Sequence, residues 1–352
     1  MSKMSRRAAL GHLGRMASAV ALVEAGLLKS AFAAQQPFNW ASTGGSWGEQ
    51  LEKSFIDGPG FPARTKLELV HTAQLETVSV SKIIANRGNP PYDVSNNGPA
   101  EAVMLQEAGC IVDYDPALVP NLKDIPPQAK VGNYFGGFTI MSLGLAWNTK
   151  EAKKPAGFKD LWRPEYKGRV AIPAYGWYGD YWLHSLNKLL GGDEDNIEPG
   201  LKAVAELMKT NDAIIVENAG HGMKLLEQGE VVIMPYWNGR VVALQEQGVP
   251  VAFEYVAGTL AVGQGFVIIK GTPYEKEACM LVNNTLDPEA QLTFARYSKY
   301  PPSNRRAVLP PDLEKVRIPD GALEKAAVLD YSKIAKHRAA YLERWNKEVL
   351  SS

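Results

Sequence analysis

The amino-acid sequence predicts an α/β protein with two lobes, each built on a doubly wound sheet. Short β-rich runs alternate with helical patterns through most of the chain, an order that is typical of doubly wound α/β proteins. The chain has 352 residues, which is more than one hydrophobic core usually supports. Two apolar runs, near residues 142–146 and 261–269, lack a following helix of crossover length, so we expect them to pass between two sheets.

The individual elements follow from residue type and periodicity. Runs rich in β-branched residues predict strands, and apolar residues that recur with the helical period predict helices. The first half gives strand 66–71, helix 74–86, strand 92–96, helix 99–108, strand 169–173 and helix 181–190. The second half gives helix 197–209, strand 213–217, helix 221–228 and strand 231–234, and then helices over 274–285, 288–297 and 323–349.

The amino terminus predicts an export signal. Arg6 and Arg7 precede a weakly apolar stretch, and Ala31-Phe32-Ala33 supplies a cleavage site of the small-x-small type. We interpret residues 1–33 as a twin-arginine-type signal peptide and expect a periplasmic protein. The alternative is an amphipathic amino-terminal helix of a cytoplasmic protein, because two charged residues interrupt the apolar stretch.

The composition limits the classes of function. Apolar residues make up 45% and charged residues 22% of the chain, as in globular proteins. The 38 basic and 38 acidic residues balance, so nothing indicates binding to nucleic acid or to an anionic membrane surface. Cys110 and Cys279 form either one disulfide or two unpaired thiols. The chain has no motif for a metal, a phosphate loop or a dinucleotide, so we expect no metal and no cofactor.

A segment around Trp237 predicts an anion receptor. The β-branched run 231–234 ends at Pro235, and the aromatic pair Tyr236-Trp237 precedes a helical pattern. Ligands of open α/β sheets bind at such strand ends. Arg240 falls in the first helical turn, where a cation is unfavourable because the helix dipole is positive at that end. A bound anion would compensate both positive charges.

The segment over residues 173–182 carries five aromatic side chains within eight positions. Loops of this kind offer flat apolar walls to a ligand or a cation. We expect Trp177 and Tyr178 to line a cleft. Trp182, and with it Tyr181, also fits packing at a hinge or in the core.

The run Gly44-Gly45-Ser46-Trp47-Gly48 fits the G-x-S-x-G pattern of a nucleophile elbow between a strand and a helix. In one interpretation Ser46 is the nucleophile of an exported serine hydrolase. In another, Thr43, Gly44 and Ser46 form a polar helix amino terminus that faces the cleft, and a pure capping role for Ser46 is equally open. The base of a hydrolase would be one of four histidines: His71, His184, His221 or His337.

Several segments occur in an order and spacing that together indicate one family. They include Gly144-Leu145-Ala146-Trp147-Asn148-Thr149, Asp160-Leu161-Trp162, Tyr166-Lys167-Gly168-Arg169-Val170, Trp237-Asn238-Gly239, Glu246-Gln247-Gly248-Val249-Pro250-Val251 and Asp287-Pro288-Glu289-Ala290-Gln291. In these segments the chain resembles the periplasmic solute-binding proteins of ABC importers, in the branch that contains the polyamine-binding proteins. The resemblance implies a type II periplasmic binding protein fold, a ligand cleft between the two lobes, and delivery of the ligand to an ABC permease in the inner membrane.

The resemblance also suggests how the chain divides. We expect a monomer in which residues 34–143 and a return segment, 259–310, form lobe 1. Residues 144–258 form lobe 2. The C-terminal helices over 311–352 then pack mainly on lobe 2.

The chain departs from the polyamine branch at two positions of the cleft. Trp237 matches the tryptophan that lines the cleft in that branch, and Tyr300 matches another cleft aromatic. The branch has a carboxylate three residues after that tryptophan and a second one in a later segment. This chain has Arg240 and Gly263-Gln264-Gly265 there, which should repel a polycation. An arginine suits a carboxylate or a phosphonate instead.

We therefore hypothesise a non-enzymatic binding protein for a small organic anion or zwitterion. Arg240 binds the acidic group, while the side chains of Trp237, Tyr178 and Trp177 enclose the body of the ligand. Asp180 is the nearest partner for an amine. Further hydrogen bonds are expected from Gln264, Asn97, Thr43 and Gly44.

Alternatives to this hypothesis are open at three points. Asn97 fits a simple turn as well as a ligand contact. Arg240 could face solvent or pair with Glu49 or Asp180. At the level of function, the alternatives are a polyamine-binding protein with a shifted set of acidic residues and the serine hydrolase.

Overall fold

The structure is a computed structural model and describes residues 36–57, 61 and 65–351. The predicted signal peptide, residues 1–33, lies outside the described residues, so its cleavage stays a prediction. No helix within the described ranges combines the length and apolar character that crossing a membrane requires.

Nine strands of the described chain form one mixed sheet, and two more form a separate parallel pair. In chain order the strands are β1 (Phe38–Ser42), β2 (Leu69–Ala73), β3 (Val94–Asn97), β4 (Ile111–Val112), β5 (Lys130–Val131), β6 (Phe135–Asn148), β7 (Ala171–Pro173), β8 (Ile214–Val216), β9 (Ile233–Trp237), β10 (Val251–Glu254) and β11 (Leu260–Ile269). The main path of the sheet is β10-β6-β11-β3-β1-β2, with β4 on β11 and both β5 and β9 on β6. β7 and β8 form the separate pair.

The antiparallel strands β6 and β11 are the two predicted crossing segments, and they are longer than predicted. They contribute to two hydrophobic cores. The first core includes Phe138 from β6 and Phe266 from β11, packed around β1 and β3. The second core includes Leu143 and Val262 from the same strands, packed around β7, β9 and the helices beside them. One pair of long strands therefore joins two cores, as a two-lobe protein requires.

Helices cover the faces of these sheets. They are α1 (Ser46–Leu51), α2 (Glu76–Ala85), α3 (Pro99–Glu107), α4 (Asp180–Leu189), α5 (Glu198–Asn211), α6 (Ala219–Glu227), α7 (Asn238–Glu246), α8 (Glu275–Thr285), α9 (Pro288–Ser298) and α10 (Tyr331–Glu348). Most bounds lie within a few residues of the predicted ones. α10 packs on both α3 and α5, and the predicted lobe boundaries stay a prediction.

Two predicted bounds are wrong for clear physical reasons. The strand predicted to end at Met234 continues through Pro235 to Trp237. Besides its ladder with β6, β9 has among the described residues only an isolated bridge from Ile233 to Val170, so Pro235 lies near a sheet edge, where proline is tolerated. The last helix begins at Tyr331 rather than at residue 323, because the side chain of Asp330 accepts hydrogen bonds from Ser332 N and Lys333 N and caps it.

Cys110 and Cys279 are both buried and unpaired. Of the two arrangements that the sequence left open, one disulfide or two unpaired thiols, the structure has the two unpaired thiols.

Candidate ligand-binding site

A cavity of about 360 Å³ lies at the carboxyl ends of β1 and β9 and at the amino ends of α2, α4 and α7. Nine of the ten predicted site residues line it, and Asn97 does not. The nine are Thr43, Gly44, Trp177, Tyr178, Asp180, Trp237, Arg240, Gln264 and Tyr300. Whether they contact a ligand stays a prediction.

Aromatic side chains form one wall of the cavity. Trp237 is 2% exposed at the end of β9, and the ring of Tyr178 stands edge-on to it at 4.7 Å between centroids. Trp177 packs against Tyr178 at 6.2 Å. Tyr178 has a positive φ of 59°, a strained conformation for a residue with a side chain, which is common at binding sites.

Arg240 lies in the first turn of α7, as predicted, and lines the cavity. The amino end of α7 has no side-chain cap, so its N–H groups add positive potential to the guanidinium. The Arg240 Cζ atom lies 5.8 Å from the centre of the Tyr300 ring. Its Nε atom is buried and has no hydrogen-bond partner among the described residues, and no pairing with Glu49 or Asp180 is found there.

Gly239 allows the start of α7 to lie against Tyr300. A Cβ atom at this position would come within 2.6 Å of ring carbons of Tyr300 and 2.8 Å of the Lys299 carbonyl oxygen. Asn238 fixes the same turn, because its Oδ1 atom accepts a hydrogen bond from Ser142 N on β6. The Asn-Gly pair that marks this helix start in the sequence therefore positions Arg240 beside the aromatic ring.

Gln264 and Asn97 lie on paired strands but differ in their access to the cavity. Gln264 donates from Nε2 to Tyr178 Oη at 3.2 Å, and its buried Oε1 atom has no partner in the described part of the chain. Asn97 pairs with Gly265 across β3 and β11 and is fully buried. Its side-chain atoms also lack partners within the described ranges, although the residue lies outside the cavity lining.

Sequence reasoning missed four charged residues of the cavity: Glu76, Glu101, Glu217 and Arg338. Glu76 opens α2 and Glu101 lies in the first turn of α3, so both follow strands whose carboxyl ends face the cavity. A carboxylate at the start of a helix that follows a strand is the signal that could have predicted both residues, since ligands bind at such strand ends. No comparable signal pointed to Arg338, which lies on the last helix, far away in sequence.

The carboxyl group of Glu76 has a strongly raised pKa. Its Oε2 atom accepts a hydrogen bond from Gly98 N at 3.0 Å. Burial, reinforced by the charge of Glu101, raises the pKa of Glu76 to about 8. No ion pair to Glu76 is found among the described residues.

Arg338 joins the other two carboxylates. Its Nη1 atom lies 3.1 Å from Glu101 Oε1, and its Nη2 atom lies 3.2 Å from Asp180 Oδ2. Tyr181 Oη donates to the second oxygen of Glu101 at 3.2 Å. Burial raises the pKa of Asp180 to about 6 in spite of the opposing charge of Arg338. Asp180, predicted as the partner of a ligand amine, is thus already paired.

The geometry around Ser46 gives the hydrolase interpretation no support. Ser46 lines the cavity at the start of α1, but no hydrogen bond joins it to a histidine in the described part of the chain. His71 bonds to Ser42 Oγ at 2.9 Å and stacks on Trp40. His184 is buried on α4, and His337 pairs with Asp195. Residues 36–57, 61 and 65–351 contain no cluster of potential metal ligands.

Comparison with known proteins agrees with this arrangement. The family model "Bacterial extracellular solute-binding protein" matches residues 61–318. The spermidine/putrescine-binding periplasmic protein of Escherichia coli (strain K12) is 24% identical over 291 residues, which cover 78% of this chain and 82% of that protein. The γ-aminobutyric acid-binding protein of Pseudomonas aeruginosa is 25% identical over 287 residues, which cover 75% and 78%.

A solved structure has the same fold. The crystal structure of an extracellular solute-binding protein from Bordetella parapertussis superposes with a TM-score of 0.75 at 23% identity and covers 90% of this chain and 99% of that chain. The predicted two-lobe binding-protein fold is therefore confirmed. The matched family and these relatives are binding proteins and not enzymes. Since the family model spans most of its length, the chain belongs to the bacterial extracellular solute-binding proteins.

Proposed function

We propose that this solute-binding component of an ABC transporter captures a small zwitterion, with an acidic group at one end and an ammonium at the other. One observation carries the proposal: the cavity contains an arginine and a carboxylate, Arg240 and Glu76, that are each without an ion-pair partner among the described residues. The aromatic rings of Trp237 and Tyr178 line the same cavity. A zwitterion would supply the missing charge at both ends.

The acidic end of the ligand would meet Arg240. The guanidinium and the uncapped amino end of α7 have the same sign, so a carboxylate or phosphonate would be favoured by both. The buried Nε of Arg240 would then gain a hydrogen-bond acceptor. An unpaired buried donor is costly, so this end of the cavity favours an anion.

The amine end would meet Glu76, with the Oε1 atom of Gln264 as a further acceptor. Glu76 replaces Asp180 in this role, because Asp180 is paired with Arg338. The apolar middle of the ligand would pack on the faces of the cavity aromatics. A short amino acid with its amine distant from its carboxylate, such as a γ-amino acid, has this pattern of charges.

The names of two relatives support an amine-containing ligand. One relative is named for γ-aminobutyric acid and another for spermidine and putrescine. A polyamine is the second candidate, because Glu76, Glu101 and Asp180 bring three carboxylates to the cavity. Arg240 disfavours it, since a second ammonium would face a guanidinium.

A thermal-shift panel of polyamines, amino acids, small carboxylates and phosphonates tests the proposal. A ligand at one hundred times its Kd stabilises the folded state by about 2.7 kcal/mol, so the correct class should raise the Tm clearly. We expect the largest shifts from zwitterions, smaller ones from simple carboxylates, and none from polyamines. Stabilisation by polyamines alone would contradict the zwitterion proposal.

We also propose that the protein reaches the periplasm through a twin-arginine signal and works there as a monomer beside an inner-membrane permease. Arg6 and Arg7 together with the Ala31-Phe32-Ala33 site support this route. Replacing both arginines by lysine should leave uncleaved precursor in the cytoplasm. Mature protein of the double variant in the periplasmic fraction would exclude the twin-arginine route.

A further inference from the structure

One guanidinium neutralises two of the carboxylates in the cavity wall. Arg338 extends from α10 and forms ion pairs with Glu101 on α3 and Asp180 on α4. The side chains of Glu101 and Asp180 are 8% and 1% exposed, and that of Arg338 is 21% exposed. Two buried carboxylates so close together need a compensating positive charge. In this chain the protein itself supplies it.

We propose that Arg338 determines specificity by acting as an internal cation: it holds the place that a second ligand ammonium would take, and so restricts the cavity to ligands with one cationic end. The inference rests on the proposed function, because it assumes that Glu76 receives the single ammonium. Without Arg338, Glu101 and Asp180 would form a second cation site beside Glu76. All three carboxylates would then be free for a diamine.

The alternative, a purely structural role for Arg338, is weakened by the other contacts of α10. Tyr341 Oη donates to the Glu194 carbonyl at 3.2 Å, and Arg344 pairs with Glu198 at 2.6 Å. Lys333 pairs with Asp195 at 2.5 Å. These contacts all hold α10 at positions away from the cavity lining. The helix is therefore anchored without Arg338, which leaves charge compensation in the cavity as its distinct contribution.

The test compares the full mature protein with two variants, Arg338→Gln and Arg344→Gln. The second is the matched control, because Arg344 is an ion-paired arginine of the same helix outside the cavity lining. Isothermal titration calorimetry measures the affinity for putrescine, cadaverine and spermidine, which differ in the distance between their ammonium groups. We expect Arg338→Gln to bind at least one of these polyamines at least tenfold more tightly than the wild-type protein, and Arg344→Gln to show no gain.

Arg338→Lys tests whether the positive charge alone is sufficient. The variant keeps a cation without the guanidinium, and we expect it still to exclude polyamines. Should circular dichroism show that Arg338→Gln fails to fold, Arg338→Met, which has an uncharged and unbranched side chain, has the same expected gain. A folded Arg338→Gln or Arg338→Met that gains no polyamine affinity overturns the inference, as does a wild-type protein that binds polyamines as tightly as the variant. The failure of the wild-type protein to bind any amino acid or carboxylate overturns the proposed function instead, and the change in polyamine affinity still decides the role of Arg338.

Discussion

Replacing Arg240 by alanine should weaken the binding of a carboxylate ligand at least tenfold and leave the fold intact. Removing one partner of a desolvated, hydrogen-bonded charge pair typically costs on the order of 2–5 kcal/mol. Arg240 lines the cavity and forms no ion pair within the described ranges, so its truncation breaks no charge pair of the protein itself. Isothermal titration calorimetry with the best zwitterion from the ligand panel measures the loss, and thermal unfolding without ligand measures the stability.

Two further variants complete this experiment. Arg240→Lys should recover only part of the affinity, because an ammonium cannot reproduce the two-pronged contact of a guanidinium with a carboxylate. Arg317→Ala is the matched control: Arg317 pairs with Glu314 at the surface and lies outside the cavity. Unchanged carboxylate affinity in Arg240→Ala would show that the acidic end of the ligand binds elsewhere.

The fold was predictable because its signals are local. Each helix and strand has its own periodicity, and the two long apolar runs already marked β6 and β11 as segments without crossover helices. The errors arose where contacts between elements distant in sequence determine the end of a strand. Pro235 looked like the end of a strand, but the pairing of β9 with β6 continues past it to Trp237, which only the folded sheet shows.

The candidate site was predictable to the extent that its residues lie in unusual local patterns. The aromatic cluster around Tyr178 and the arginine at a helix start were visible in the sequence, and the structure brings both to one cavity. The acidic side of the cavity was not visible in this way. Glu101, Asp180 and Arg338 meet only through the packing of α3, α4 and α10, so no short window of sequence contains the network.

The affinity for an amine-containing ligand should depend on pH through Glu76. Burial and the neighbouring Glu101 charge raise the pKa of this carboxyl to about 8, so the free protein holds a proton there at pH 6. A bound ammonium favours the ionised form and lowers this pKa, so the complex binds fewer protons than the free protein does. Linkage then requires the affinity to rise with pH, by about tenfold per pH unit below 8, and to level off above it.

The variant Glu76→Gln tests the assignment of this effect, because it removes the titrating group. We expect it to bind the zwitterion at least tenfold more weakly at pH 8.5 and to lose the dependence between pH 6 and pH 8. Glu217→Gln is the control, since Glu217 is an exposed carboxylate at the rim of the same cavity and its replacement should leave the slope unchanged. Asp180, whose pKa is raised to about 6, titrates at the acidic end of the tested range, so the slope between pH 7 and pH 8 is the part that identifies Glu76. γ-Aminobutyrate is a suitable probe because its own amine stays protonated throughout. A slope that persists in Glu76→Gln would assign the titration to another group and remove Glu76 from the amine end of the site.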